Sequence, residues 1–318
     1  MVAGDAAAAD LEQATAEFVA VRGRLFGIAY RMLGSSAEAE DIVQEAWLRW
    51  QMADRSAVVD PAAFLATTTT RLCLNALQSA RARRETYIGP WLPEPVDTSA
   101  DPHLGAERGE ALELATVMLL EKLPPTERAA YVLREAFDYP YARIADVVQV
   151  KEENARQLVS RARKHISTGR REQTGSAEQK RLFEALVGAA QEGDVEALEK
   201  LFADDVVSYT DGNGMRGASR IPVVGRSVVA HFLKAVAPRW WQDTKLTWIE
   251  ANGRPSVLVS RDAGVVAFLA MSASEQGIDQ LMWVMSPAKL HAISKLLPTS
   301  GDVSQITSRT RGLRCLSW

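Results

Sequence analysis

Cysteine and histidine are scarce in this chain, and their scarcity excludes several kinds of site. The 318 residues include two cysteines, Cys73 and Cys315, and four histidines. Two distant cysteines make neither a disulfide framework nor a metal site of their own. We therefore expect no bound metal, no cofactor and a reduced, cytoplasmic compartment.

The chain also lacks a long apolar run and a basic leader. No stretch reaches the roughly 20 apolar residues that a membrane-spanning helix needs, and the first ten residues, MVAGDAAAAD, are acidic where a secretory signal is basic. We expect no signal peptide and no membrane association. The net charge of −3 argues against a positive coat for nonspecific nucleic-acid binding, although it permits local basic patches.

The length predicts two or three domains, and residues 10–85 predict the first, an all-α three-helix bundle. Apolar residues at helical spacing from Leu11 to Met32 indicate one long helix that ends at Gly34. A second helix covers residues 35–50, and residues 51–59 form a polar loop. Asp60 then caps a third helix, which ends in a basic cluster.

The second helix presents two different faces. Ser35 and Glu38 form a capping box at its start. An apolar stripe predicts its buried face and consists of Ala39, Ile42, Val43, Ala46, Trp47 and Trp50. The other face is polar and acidic, with Leu48 in its middle. It suits either a docking surface or a solvated helix with a scattered leucine, and periodicity alone favours the second interpretation.

Residues 86–105 form a proline-rich linker. Four prolines exclude a continuous helix or a central strand. Aromatic and apolar residues such as Tyr87, Ile88 and Trp91 are unusual in a free tether, so we expect this segment to pack on another part of the molecule. A flexible tether with incidental aromatics is the alternative.

Residues 106–168 predict a second all-α domain. Helical patterns cover residues 106–123, 126–137, 141–148 and 151–166, and a tight turn separates the last two. Two helices joined by such a turn, the second rich in arginine, form a helix-turn-helix pattern. The outward arginines and Gln157 suit contacts to bases and phosphates. A solvated basic helix end explains the same residues equally well.

After a second linker at residues 168–175, residues 177–298 differ in kind. Two amphipathic helices, residues 177–191 and 194–202, precede short strands at 206–210, 245–250, 257–261, 265–271 and 278–285, with a helix at 227–236. Helices followed by an antiparallel meander predict an α+β domain. Four tryptophans are expected to line a cavity or to fill a core: Trp240, Trp241, Trp248 and Trp283. Residues 299–318 are expected to form a flexible tail.

Together these features resemble the extracytoplasmic-function sigma factors of bacteria. AEDIVQEAWLRW, residues 39–50, is similar to their polymerase-binding helix, and residues 137–166 resemble their promoter-reading helix-turn-helix. WLPEP at 91–95, DGNGM at 211–215 and SPAKL at 286–290 resemble motifs of a subgroup with a C-terminal SnoaL-like, nuclear-transport-factor-2-like extension. The resemblance implies two all-α sigma domains, a linker and an α+β cone domain.

The resemblance also implies a function and its residues. The chain would direct core RNA polymerase to specific promoters and would not be an enzyme. The implied core-polymerase contacts are Asp41, Gln44, Glu45, Leu48 and Arg49. The candidates for minus-ten DNA are Arg71, Asn75, Arg81, Arg83 and Arg84, although Asn75 is equally explained as an exposed helix residue. The candidates for minus-thirty-five DNA are Asn154, Arg156, Gln157, Ser160, Arg161 and Arg163.

For the C-terminal domain the resemblance implies regulation in cis. The interdomain contact is expected to use Trp91, Leu92, Pro93, Asp211, Gly212 and Gly214, whereas DGNGM could instead be a simple turn between strands. The alternative function is a DNA-binding regulator whose C-terminal pocket senses or turns over a small-molecule ligand. Its acid–base candidates would be His231, Asp211, Asp262 and Asp279.

Overall fold

The computed structural model describes residues 2–98, 113–169, 171–262 and 264–294, and for residues 2–9, 78–85 and 292 it describes the backbone alone. The predicted tail, residues 99–105 of the linker and the start of the helix predicted at 106–123 lie outside the described residues. Within the described part, no helix is both long enough and apolar enough to cross a membrane. The predicted fold class, helical domains followed by an α+β domain, is confirmed.

Three helices form the first domain: α1 (Val2–Leu33), α2 (Ser36–Met52) and α3 (Pro61–Glu85). Gly34 ends α1 in the left-handed conformation, with φ of +68°. The predicted loop at residues 51–59 is partly wrong, because α2 continues to Met52 and residues 55–57 form a short 3-10 helix. Trp50 is fully buried between the three helices and donates its indole N–H to the Ala14 carbonyl at 3.1 Å.

The second domain contains α4 (Leu114–Leu120), α5 (Pro125–Tyr131), a π-helical turn (Val132–Ala136), α6 (Tyr141–Val148) and α7 (Glu152–Gly169). Gln149 adopts a left-handed φ of 58° between α6 and α7, which makes the tight turn of a helix-turn-helix. The inward face of α7 is buried and consists of Ala155, Leu158, Val159, Ala162 and Ile166. The helix-turn-helix prediction is confirmed.

The two helical domains pack against each other and share one continuous apolar core. The guanidinium of Arg24 in α1 lies 5.6 Å from the ring centre of Phe137 and 5.2 Å from that of Tyr139. Arg128 of α5 donates to the Met32 carbonyl at the end of α1, at 2.6 Å. Cations placed over aromatic rings and on helix-terminal carbonyls therefore hold the domains in a closed arrangement.

The described part of the C-terminal domain contains a six-stranded sheet and four helices. Two helices precede the first strand, one lies between the second and third strands, and one follows the last strand. The helices are α8 (Ser176–Glu192), α9 (Val195–Leu201), α10 (Arg226–Trp240) and α11 (Pro287–Ile293). The strands are β1 (Phe202–Asp211), β2 (Val223–Val224), β3 (Lys245–Ala251), β4 (Arg254–Arg261), β5 (Gly264–Ser274) and β6 (Gly277–Val284). Their order across the sheet is β2-β1-β6-β5-β4-β3.

The purely antiparallel sheet predicted from the sequence is wrong in one respect. Strands β3 to β6 form an antiparallel meander, but β1 pairs with β6 in parallel. The helix α10 carries the chain across from the β1–β2 edge to the far edge, so the meander ends with β6 beside β1 and running in the same direction. Strand pairing between distant segments leaves no local sequence pattern that would reveal this.

The described part of the first linker is not a free tether. Residues 86–98 run between the first domain and the C-terminal domain, and Leu92, Pro93 and Val96 are buried. The second linker is also shorter than predicted, because α7 continues to Gly169 and Gln173 forms a β-bridge with Ser274. All three domains therefore touch, and the linkers lie in the contacts between them.

Candidate functional site

The outward face of α2 is exposed and carries an apolar residue at its centre. Asp41, Gln44, Leu48 and Arg49 are exposed, and Glu45 is partly buried. Arg49 donates to the Glu45 carboxylate at 2.9 Å, which leaves the side chain of Leu48 half exposed on a charged surface. Leu48 is not part of the apolar core of the helical domains.

One further exposed apolar residue extends this face and was missed by the sequence reasoning. Met52, one helical turn after Leu48, is 78% exposed, and Val59 is fully exposed before α3. The i+4 spacing of Met52 from Leu48 indicates that both lie on one helical face, but the loop-like composition of residues 51–59 conceals this spacing. Large exposed apolar side chains grouped on one face are typical of a protein-binding surface.

The candidates on α3 are in different situations. Arg71 donates to the Asp146 carbonyl at 2.9 Å and to the Val147 carbonyl at 3.2 Å, so its guanidinium sits on the C-terminal end of α6. Asn75 is exposed. The structure places Arg81, Arg83 and Arg84 in the last turns of α3 and describes only their backbone. In this arrangement Arg71 joins the two helical domains.

The outward face of α7 is accessible. All six predicted residues on it are exposed: Asn154, Arg156, Gln157, Ser160, Arg161 and Arg163. Arg156 pairs with Glu152 one turn earlier at 2.5 Å and lies 5.3 Å from the ring centre of Tyr141. These contacts hold the guanidinium at the N-terminal half of the helix, where helix-turn-helix proteins contact base edges.

Two acidic residues hold the distal arginines of α7. Arg161 donates to Glu127 at 2.7 Å, and Arg163 donates to Glu135 at 2.7 Å. The hydrogen bond that Arg163 donates to the Glu135 carboxylate raises the pKa of Arg163 above its ordinary value. Both arginines are about half exposed, whereas Glu127 is buried and Glu135 is partly buried. A phosphate that takes Arg161 would therefore leave the buried Glu127 carboxylate without this partner.

A buried ion pair of the C-terminal domain binds the linker. Asp211 at the end of β1 is fully buried and accepts a hydrogen bond from the Lys289 ammonium at 2.6 Å. The same carboxylate accepts from the Leu92 backbone N–H at 2.7 Å and from the Tyr87 hydroxyl. Lys289 also donates to the Leu92 carbonyl at 2.5 Å. Burial and the neighbouring Asp211 raise the pKa of the Tyr87 hydroxyl, which stays protonated as a donor.

Trp91 of the linker contacts both the C-terminal domain and the end of α1. The Lys289 ammonium lies 4.0 Å from its ring centre, a cation–π contact. On the opposite side, a Cβ added to Gly34 would lie 2.6 Å from its ring, so glycine is required where the ring meets the end of α1. Leu92 packs in the apolar core of the C-terminal domain, with Phe268 and Val284 among its partners.

DGNGM is a turn and also a contact surface. Met215 donates its N–H to the Gly212 carbonyl at 2.9 Å, which closes the turn after β1. Gly214 has φ of +80°, and a Cβ there would lie 3.2 Å from Ile88 of the linker. The turn and the linker contact are thus compatible, and the structure brings Asp211, Gly214 and the linker together. Gly212 packs within the turn, close to Ala218.

Glu94 was missed by the sequence reasoning, although it lies inside WLPEP. Its carboxylate accepts hydrogen bonds from the backbone N–H of Ser36 at 2.7 Å and of Ala37 at 3.3 Å, and from the Ser35 hydroxyl at 2.9 Å. The Ser35 half of the predicted capping box is present, because the Ser35 hydroxyl accepts from the Glu38 N–H. The linker therefore supplies a carboxylate to the positive end of α2.

Asn252 links the first domain to the C-terminal domain. This residue lies in the tight turn between β3 and β4, with φ of 53°. Its side chain donates to the Tyr30 hydroxyl at 2.8 Å and accepts from the Val96 N–H at 3.0 Å. The Tyr30 hydroxyl donates to the Glu94 carbonyl at 2.6 Å. One short polar chain therefore connects α1, the linker and the sheet.

The interior of the cone is nearly filled by aromatic side chains. Trp240 and Trp241 contact Trp283 with ring centres 5.8 and 6.3 Å apart. A small cavity of about 40 Å³ remains beside them. Trp283 thus belongs to the core, Trp240 and Trp241 pack against it and are partly buried, and Trp248 is partly exposed on β3 and packs on Phe183.

The predicted acid–base residues do not converge on that interior. His231 and Asp262 are exposed, and Asp211 forms an ion pair with Lys289. Asp279 lines a separate, polar cavity of about 210 Å³ between the second and C-terminal domains, where burial raises its pKa. Among the described residues, no three His, Cys, Asp or Glu side chains are grouped as metal ligands would be.

Comparisons with known proteins agree with this geometry. Residues 18–83 match the family model of Sigma-70 region 2, and residues 114–166 match that of Sigma-70, region 4. The ECF RNA polymerase sigma factor SigJ of Mycobacterium tuberculosis is 39% identical over 229 residues, which cover 70% of this chain and 73% of that protein. The probable ECF RNA polymerase sigma factor SigI of the same species is 30% identical over 283 residues, 87% of this chain and 94% of that protein.

A solved structure extends the similarity to the third domain. The crystal structure of Mycobacterium tuberculosis extracytoplasmic function sigma factor SigJ aligns with a TM-score of 0.73 and 32% identity. The alignment covers 87% of this chain and 98% of that one. Coverage of this extent includes strands of the C-terminal sheet as well as both helical domains.

The buried ion pair gives a stability prediction. Replacement Lys289→Met should lower the free energy of unfolding by about 3–5 kcal/mol, because it leaves the Asp211 carboxylate buried without its cation. Urea denaturation monitored by tryptophan fluorescence would measure the change. The matched control is Lys200→Met, whose ion pair with Glu196 has a similar separation, 2.7 Å, but is exposed on both sides. Equal midpoints for the two variants would contradict a stabilising role for the buried pair.

Proposed function

This chain belongs to the extracytoplasmic-function RNA polymerase sigma factors and is a promoter-specific transcription initiation factor, and we propose that its C-terminal domain regulates initiation in cis. It acts with core RNA polymerase and promoter DNA, as sigma factors do. The observation that carries the proposal is the linker at residues 86–98, which the C-terminal domain binds through Asp211 and Lys289 and which also caps the polymerase-binding helix through Glu94.

Core polymerase docks on the outward face of α2 in this proposal. The half-exposed Leu48 supplies an apolar centre, Met52 extends it, and Asp41, Gln44, Glu45 and Arg49 form a charged rim. An apolar centre with a polar rim is the usual composition of a protein interface. The apolar stripe of the same helix is buried in the bundle, so the two faces have separate roles.

Promoter DNA contacts α7 and the region around α3. The exposed residues from Asn154 to Arg161 would read the minus-thirty-five element in the major groove. Arg163 would hold the phosphate backbone. Arg71, Asn75 and the basic end of α3 would contact the melted minus-ten strand, where cations and a base pocket are needed. The exposure of these residues on α7 in the closed arrangement supports this assignment.

In the closed arrangement the chain cannot bind the two promoter elements at the same time. By their names they lie about 25 base pairs apart, on the order of 85 Å of duplex at ~3.4 Å per base pair. The two helical domains here share one core, and Arg71 binds the end of α6 instead of DNA. The domains must therefore separate before initiation, and any contact that stabilises the closed arrangement opposes initiation.

The C-terminal domain supplies such contacts. It holds the linker by the Asp211–Lys289 pair, by burial of Leu92 and by the Asn252 hydrogen bonds to Val96 and Tyr30. Because the linker connects the two helical domains, fixing it restricts how far they can move apart. We assign to these contacts the role of a restraint within the chain.

The alternative, a C-terminal pocket that senses or turns over a small molecule, is not favoured. The tryptophan cluster leaves about 40 Å³ inside the cone, and the acid–base candidates are dispersed. We propose that the C-terminal domain is not an enzyme. We also propose a cytoplasmic location, since core polymerase and promoter DNA are found there.

Leu48→Asp tests the polymerase face. A charge at the apolar centre of the docking surface should abolish binding to core RNA polymerase while leaving the fold intact, because Leu48 is half exposed in the free protein. Binding would be measured by size-exclusion chromatography with purified core enzyme. The matched control is Val228→Asp, an exposed apolar position on α10. Normal binding by Leu48→Asp would remove this face from the interface.

Arg156→Ala tests the DNA face. Loss of a bidentate donor should weaken promoter binding by holoenzyme by about 1–3 kcal/mol and relax base preference at one position of the minus-thirty-five element. The assay is electrophoretic mobility shift at fixed salt. Arg181→Ala is the matched control, since Arg181 is also an exposed helical arginine paired with a nearby glutamate. An unchanged affinity for Arg156→Ala would exclude it as a base contact.

Trp91→Ala tests the restraint. Removing the ring that lies between the end of α1 and Lys289 should loosen the linker and raise promoter-dependent transcription at least twofold in a reconstituted assay with core enzyme. Trp248→Ala, a tryptophan of the C-terminal domain outside the linker contact, serves as the control. Unchanged or reduced transcription by Trp91→Ala would contradict a restraining role.

A further inference from the structure

A large cavity lies where the three domains and the linker meet. Its volume is about 1030 Å³. Leu77 of α3 forms one wall, Trp91 and its neighbours in the linker form another, and the turn between α4 and α5 forms a third. Tyr209 of β1 and Arg220 of the loop before β2 close it from the C-terminal domain. This junction cavity is separate from the interior of the cone.

The size of the junction cavity matches that of a ligand site. Pockets for small organic molecules usually enclose about 300–1,000 Å³ and have mostly apolar walls with a few polar groups. The walls here are mainly apolar, with Met118, Leu123 and Trp91 among them. The residual space beside the tryptophans of the cone is about 40 Å³ and offers no comparable room.

The charged groups of the junction cavity are biased toward the positive sign. Lys122 and Arg220 line it, are exposed, and form no ion pair in the part of the chain that the structure describes. Among the described lining residues the one carboxylate is Glu121, which is bound by Arg128 at 3.0 Å. Arg128 is buried, which lowers its pKa to about 10 and still leaves it cationic at neutral pH. An anionic group entering the cavity would thus meet two free cations.

We propose that the junction cavity binds an apolar organic acid, with its hydrocarbon or aromatic part between Trp91 and Met118 and its carboxylate near Lys122 and Arg220. A carboxylate is favoured because charge-assisted hydrogen bonds to lysine and arginine are stronger than those between neutral groups. A neutral apolar molecule would leave both cations without an anion. The walls come from one chain, so one molecule would bind per chain.

Binding would be coupled to the closed arrangement. The walls belong to domains that must separate during initiation, so the acid binds the closed form only and stabilises it by RT ln(1 + [L]/Kd). Linkage requires that core polymerase and promoter DNA in turn weaken binding of the acid. This consequence rests on the proposed regulation in cis, whereas the binding site itself does not.

Calorimetric titration of the full chain with 2-naphthoate tests the site. We expect saturable binding of one molecule per chain, and binding at least tenfold weaker for the neutral isostere 2-naphthamide. The double variant Lys122→Glu/Arg220→Glu should reduce affinity for 2-naphthoate at least tenfold. A control double variant with the same change in charge is Lys180→Glu/Arg181→Glu, at exposed positions of α8 outside the cavity, and it should bind normally.

A filling variant gives a second, independent test. Met118→Trp should occupy part of the junction cavity and abolish binding without a change in charge. No saturable binding, equal affinity for the amide, or equal affinities of the two double variants would each overturn the proposal. The folding of every variant would be checked by circular dichroism, so that a misfolded protein is not scored as a loss of binding.

Transcription separates this proposal from the proposed regulation. If 2-naphthoate lowers initiation by the unaltered protein but not by Lys122→Glu/Arg220→Glu, both proposals are supported. If 2-naphthoate binds as expected and initiation does not change, the cavity assignment stands and regulation in cis through the closed arrangement is contradicted.

Discussion

The arrangement of the three domains depends on the buried carboxylate of Asp211. A charge without solvent is stable only when an opposite charge and hydrogen-bond donors surround it. Here the ammonium comes from Lys289, at the end of the chain's described part, and the N–H comes from Leu92, in the linker. The carboxylate therefore cannot be satisfied by its own strand, and the C-terminal domain is complete only with the linker in place.

The linker transmits this requirement to the first domain. Within five residues, Trp91 meets Lys289 and the end of α1, Leu92 enters the core of the C-terminal domain, and Glu94 accepts hydrogen bonds from the first N–H groups of α2. Prolines at positions 93 and 95 keep the segment extended. The N-terminus of α2 and the C-terminal sheet are thus connected by one short, stiff peptide.

Much of the fold was predictable from the sequence, because helix periodicity and capping are local. The residues at three positions account for helix boundaries: α1 ends before Gly34, α3 begins at Pro61, and α6 ends before Gln149. The parallel pairing of β1 with β6 was missed, since it joins segments about 70 residues apart in sequence. The helical spacing of Met52 from Leu48 is hidden by the loop-like composition of residues 51–59.

By itself the sequence determined the two helical domains, the exposed face of α2, the arginine-rich face of α7 and the three short motifs. All of these depend on the type and spacing of neighbouring residues. Only the tertiary structure decided that Arg71 binds a helix end, that Glu94 caps α2, that the cone is filled by tryptophans and that a large cavity lies at the domain junction. These depend on packing between distant segments, where a carboxylate or an indole acquires its partner from a residue that local spacing does not specify.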